Sequence, residues 1–132
     1  MTENEIMEIL EAEAKKGMMM IPIKDIPLSD LQRLGFIIDY NPKGKKVNIS
    51  DMITYPDNSY GSKLQAISRE AREKIFYEFM NVIRNANIKN INIGPTLQND
   101  YFLLNWYILQ FERAGYKVSL DDDSNPKVMM LK

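Results

Sequence analysis

The sequence predicts an α+β protein of two similar α-β-α-β-β units in tandem, each a small, mainly antiparallel sheet covered by helices. Three observations predict it. The stretches GFIIDYNPKGKKVNIS (Gly35–Ser50) and GYKVSLDDDSNPKVMML (Gly115–Leu131) share one plan: a glycine, an aromatic residue, an Ile/Val alternation, a proline-containing polar loop and a second β-rich run. Each follows a run whose apolar residues recur at helical spacing. Between them, SDMITYPDNSYGSK (Ser50–Lys63) is dense in Pro, Gly, Asp, Asn and Ser, and the order of elements restarts after it. The expected organisation is a first unit over 1–50, a connector over 51–66 and a second unit over 67–132. Leu31, Gly35, Phe36, Ile38 and Tyr40 correspond to Phe111, Gly115, Tyr116, Val118 and Leu120. A unit of about 50–65 residues is marginal alone, so the two are expected to pack together as one body.

The elements follow in order. Thr2 and Glu5 have capping-box spacing, and Ile6, Ile9, Leu10 and Ala14 mark one face of the helix they open. Lys15-Lys16-Gly17 closes it, with cations in the last turn and a residue free to turn left-handed. MMMIPI (Met18–Ile23) reads as a strand near a sheet edge, because Pro22 cannot donate to a ladder. Leu28, Leu31 and Leu34 line a short helix ended by Gly35; Phe36–Tyr40 and Lys46–Ile49 then form a hairpin around Asn41-Pro42-Lys43-Gly44. After the connector, Ser68 is expected to cap a long helix with Ala71, Ile75, Phe79, Val82 and Ala86 inward. A strand over Ile88–Ile93, a break at Gly94-Pro95, and a helix over Asn99–Ala114 with Leu104, Ile108 and Phe111 inward come next. The last hairpin is Tyr116–Leu120 with Lys127–Leu131.

Composition excludes whole classes of chemistry. The chain has neither cysteine nor histidine, so disulfides, thiolate catalysis, zinc fingers and histidine general bases are out. Its 17 basic and 18 acidic residues give a net charge of −1, without the basic excess that phosphate-held nucleic-acid binders carry. The acidic, amphipathic start MTENEIMEILEAEAKKG is unlike a signal peptide, and no apolar run approaches membrane-spanning length, so a protein that is intracellular or assembled inside a cell is expected. Asn48-Ile49-Ser50 matches a glycosylation acceptor by chance in that setting.

Four stretches invite chemical readings and fail them. In NPKGKK the upstream glycine of a phosphate loop falls on Asp39, and Lys46 stands where Ser or Thr is needed. DDDSN (Asp121–Asn125) has the alternate oxygens of a calcium loop, but Pro126 replaces its glycine and Lys132 its bidentate glutamate. Arg69, Glu70, Arg72, Glu73 and Lys74 read as a solvated mixed-charge helix face with local ion pairs. The acids lie on expected faces and turns, not paired in a cleft for acid–base work. No catalytic residue, cofactor site or metal site is expected, and the protein is expected not to be an enzyme.

What remains is binding. In a strand, neighbours point to opposite faces, so at least one of Met18, Met19 and Met20 should leave the core side, and methionine suits adaptable contacts. Tyr55 and Tyr60 in the connector and Trp106 on the last helix are the aromatic candidates for protein contact. The long-helix opening SREAREK, followed by strand, helix and the closing GYKVS…KVMML hairpin, resembles a module of small tailed-bacteriophage proteins, mostly unassigned or virion-associated. The resemblance covers Ser68 to Leu131 well and Thr2 to Ser50 in outline; where the module closes on an aromatic residue, this chain has Leu131-Lys132. It implies a phage protein acting on other proteins, phage structural proteins or a host factor, as a virion or assembly component or a homo-oligomer, in the virion or host cytoplasm, and away from membranes. The alternative is a small intracellular phage regulator that inhibits a host factor or binds nucleic acid, its basic patch formed by Lys15, Lys16, Arg33, Lys43, Lys45 and Lys46.

Overall fold

The computed structural model of the protein describes residues 1–23, 25–41, 44–85, 90–92, 100–120 and 126–130. Helices and small antiparallel sheets make it an α+β chain, divided into units Met1–Glu73 and Lys74–Lys132.

The first unit opens with α1 (Glu3–Ala14), started by the capping box: the Thr2 hydroxyl accepts from Glu5 N–H at 3.2 Å and the Glu5 carboxylate reaches back to Thr2. Ile6, Leu10 and Ala14 are buried as their spacing predicts, but the buried sector widens towards Met7 and leaves Ile9 exposed. Gly17 takes φ +82°, and β1 (Met20–Pro22) follows. Then α2 (Leu28–Arg33) ends on Gly35 at φ +88°, where Phe36 N–H bonds the Leu31 carbonyl and Gly35 N–H that of Gln32. That is the left-handed helix stop that glycine supplies without steric cost, with Leu31 and Phe36 buried beside it. The hairpin strands are β2 (Ile38–Asn41) and β3 (Gly44–Asn48). The sheet order is β1-β3-β2, all antiparallel, with Val47 opposite both Ile21 and Ile38. Pro22 thus sits on an edge strand, where its missing N–H costs the ladder nothing.

The long helix α3 (Tyr60–Asn85) starts eight residues before the expected cap. Its start is set by Ser59, whose hydroxyl accepts from Ser62 N–H at 3.2 Å, so the expected connector is helical from Tyr60 onward. Its inner line in this unit is Gly61, Leu64, Ser68 and Arg72, all buried, while Ala71 and Ile75 are half-buried and Val82 is exposed. The charged stretch from Arg69 is therefore not uniformly a solvated face. Hydrophobic spacing placed the buried line wrongly because two of its members are polar. The core of this unit joins Ile6, Leu10, Ile21, Leu31, Val47, Ile49 and Leu64 with their neighbours.

The second unit takes the end of α3, then β4 (Asn90–Asn92), α4 (Tyr101–Arg113), β5 (Tyr116–Leu120) and β6 (Pro126–Met130). Asp100 caps α4, its carboxylate accepting from Leu103 N–H at 3.0 Å. Leu103, Tyr107 and Phe111 of α4 are fully buried; Leu104 and Ile108, expected inward, are half-buried because the helix is turned towards its aromatic side. Phe76 and Phe79 of α3 meet Tyr107 and Phe111 with centroids 5.0 to 6.3 Å apart. Gly115, at φ +91°, ends α4, and Tyr116 beyond it contacts Phe111 edge-on. The sheet order is β4-β6-β5, again antiparallel, with Val128 opposite both Ile91 and Val118. The acidic stretch Asp121–Asn125, Gly94-Pro95 and Ala86 lie outside the described residues.

Candidate functional site

The charged groups nearest the core form one connected set in the first unit. Arg72 is fully buried; its guanidinium donates to the Ser68 hydroxyl at 2.9 Å and to the Asp51 carboxylate at 2.8 Å. Ser68 passes the chain on, donating to the Met18 carbonyl at 2.7 Å, and Arg69 donates to the other Asp51 oxygen at 3.0 Å. Ser68 is thus a core hydroxyl in mid-helix, not the cap its sequence position suggests. Burial raises the Asp51 carboxyl, but the bonds and charges of Arg69 and Arg72 outweigh it and hold the group below the usual carboxylate range. Desolvation lowers the Arg72 guanidinium, opposed by Asp51. Gly17 lies against this side chain: a Cβ there would come within 3.0 Å of the Arg72 Cβ. Asp51 is committed to two arginines, which makes it a structural counter-ion.

Tyr55 closes the β2–β3 ladder. Its hydroxyl accepts from Ile37 N–H at 3.0 Å and donates to the Asn48 carbonyl at 2.5 Å, standing between two groups that a direct rung would join. Burial, then the Asp39 charge, raises its phenol, while the Ile37 bond opposes. The ring meets Phe36 edge-on and fills the space over Gly61, where a Cβ would overlap it. Gln65 ties the loop beneath, donating to the Ser50 and Ile53 carbonyls.

The residues expected to contact partners are not brought together on a surface. Met18, Met19 and Met20 are all buried, which corrects the alternation argument: β1 begins only at Met20, and the Met18 and Met19 carbonyls are held by Ser68 and Ile49. Tyr55 is buried for the reasons above. Tyr60 lies half-buried in the first turn of α3, donating to Glu3 at 2.9 Å. Trp106 is half-buried, edge-on to Phe76 and Tyr107. Of the basic residues, Lys16 pairs with Glu13 and Arg33 with Glu3 and Asp30, Lys45 stands over the Tyr40 ring, and Lys43 lies outside the described residues.

Sequence reasoning missed β2 as the exposed element. Ile37 is 45% and Tyr40 59% exposed on either side of Ile38 and Asp39. The signal was present in FIID: Phe36 and Ile37 are neighbours leading into the strand, and neighbours on an extended chain point to opposite sides, Phe36 inward and Ile37 outward. Among the described residues no group of three His, Cys, Asp or Glu could hold a metal ion, and no helix is long and apolar enough to cross a membrane. Comparison of the chain with protein-family models, with curated proteins and with solved structures finds no match.

Proposed function

We propose that this chain is a non-enzymatic bacteriophage protein that acts by binding other proteins, as a small virion structural or assembly component. The observation that carries the reading is the β2 edge, a strand unpaired on one side among the described residues, with Tyr40 exposed in it and Ile37 exposed just before it. The use of Asp51, Arg69 and Arg72 in packing fits a protein whose charges stabilise the chain and do no chemistry. The resemblance of SREAREK and the closing GYKVS hairpin to phage modules supplies the setting, virion or host cytoplasm. Ion pairing at Lys16 and Arg33 weakens the basic patch that a nucleic-acid regulator would need.

The two units read as copies of one α-β-α-β-β module, over 1–50 and 67–132 with 51–66 between. In support, both sheets place the second hairpin strand centrally, and the rung Ile21–Val47–Ile38 has its counterpart in Ile91–Val128–Val118. Mass spectrometry of purified virions tests the function: a stoichiometric amount of the chain is expected, and clean absence from particles of an infection that expresses it would reject the virion role.

A further inference from the structure

We propose that the open edge of β2 accepts an extended segment of another protein, added antiparallel, with lysine or arginine opposite Asp39 and apolar residues opposite Ile38 and Tyr40. The proposal rests on the protein-binding reading and narrows it to one edge and one pattern.

The ladder defines which groups are free. Asn48 N–H bonds the Ile37 carbonyl, and the Tyr55 hydroxyl bridges Ile37 N–H and the Asn48 carbonyl, so Ile37 and Asn48 form a bonded rung. Bonded and non-bonded rungs alternate along an antiparallel pair. Ile38 opposite Val47 and Tyr40 opposite Lys45 are therefore non-bonded rungs, whose β2 N–H and C=O groups face away from β3. The far side of β3 agrees: Lys45 and Ile49 bond there to Ile23 and Met19 of the β1 side. Among the described residues nothing bonds the outward groups of Ile38 and Tyr40. The β1 edge differs, because its outward positions are Pro22, which has no N–H, and the buried Met20. One edge is blunted and the other is a template.

Asp39 decides what the template accepts. A second copy pairing β2 on β2 makes its longest ladder centred on Asp39, which sets two carboxylates opposite each other at the closest rung; like charges there are unfavourable. The Asp39 carboxylate accepts from Asn48 Nδ2 at 2.9 Å and makes no ion pair among the described residues, although Lys46 is its rung partner. A cation on the added strand would complete it. Ile38 and Tyr40 lie on the other face and favour apolar or aromatic partners.

The test titrates the ¹⁵N-labelled full chain with acetyl-Thr-Ile-Lys-Val-Thr-amide and with the same peptide carrying Glu for Lys, to millimolar concentration. The lysine peptide is expected to shift and protect the Ile38 and Tyr40 amides, with an affinity about two- to five-fold above the glutamate peptide. Asp39→Lys should reverse the preference and Asp39→Asn abolish it, with Ile21 and Val47 amides reporting an intact sheet. No response at Ile38 and Tyr40, or a response blind to charge in both proteins, overturns the proposal. Partner binding elsewhere on the chain, with these amides unmoved, would sink this edge while leaving the protein-binding reading standing.

Discussion

Deleting one oxygen from Tyr55 tests whether a side-chain hydroxyl completes the β2–β3 ladder. Tyr55→Phe keeps the ring that meets Phe36 at 6.5 Å and covers Gly61. It strips a partner from the Asn48 carbonyl and from Ile37 N–H. Asn48 is 4% exposed, so its carbonyl has little access to water, whereas the exposed Ile37 can recover some hydration. An orphaned buried backbone group costs about 1–3 kcal/mol, which for one buried and one half-wet group gives about 2 kcal/mol. In a chain of this size that lowers Tm by roughly 6–8 °C. Differential scanning calorimetry reads the shift, and hydrogen exchange at the Ile37 amide reads its cause, since protection there should be lost. A Tyr55→Phe protein melting within about 2 °C of the parent, with Ile37 still protected, would refute the ladder role. The phenol also gives a pH signature. Its folded pKa lies above 10.0, so its contribution is present below that value and fades as pH rises through the raised one. Tyr55→Phe should lack this alkaline component.

Three further outcomes follow from neighbouring contacts. Gly61→Ala should destabilise by about 1–3 kcal/mol through overlap with the Tyr55 ring, against the roughly 1 kcal/mol gain that helix propensity alone predicts; urea unfolding decides the sign. Gly17→Ala should cost more than Gly35→Ala, since both have positive φ but only Gly17 abuts Arg72; about 1 kcal/mol is expected at Gly35, and paired melts give the order. Asp51→Asn should destabilise by about 1–3 kcal/mol, less than loss of a wholly buried partner because Asp51 is half exposed. The folded Asp51 pKa is depressed, so its contribution is present above the unfolded value near 3.8 and lost as pH falls below it; the variant's acid limb should be shallower in urea midpoints measured against pH.

Local chemistry was legible wherever one short stretch decides the outcome. Thr2 with Glu5, the glycine stops at Gly35 and Gly115, the hairpin of β2 with β3 and the edge position of Pro22 all follow from a few adjacent residues. Long-range compensation was not legible. TYPDNSYGSK looks like a loop because it is rich in turn formers, yet Ser59 is a helix cap and Gly61 is there to admit a ring from Tyr55. Ser68 and Arg72 break the apolar spacing of α3, and the distant Met18 carbonyl and Asp51 carboxylate help make their burial tolerable. The candidate surface suffered most: Met18–Met20 and Tyr55 satisfy the usual signs of contact residues but serve the interior, while the exposed edge lay in an ordinary hairpin strand.

The division between units falls at Glu73 and Lys74, inside α3. In an uninterrupted helix each N–H bonds the carbonyl four residues back, so the amides of residues 74–77 rest on carbonyls of residues 70–73. A gene fragment ending at this boundary would carry Leu64, Ser68 and Arg72 on a helix with a raw C-terminal end, and its complement would begin with orphaned donors. During synthesis the same continuity imposes an order. The strands of the first sheet are made before the helix that supplies Leu64 to its core and Arg72 to Asp51, so that core is complete only once those residues have been translated.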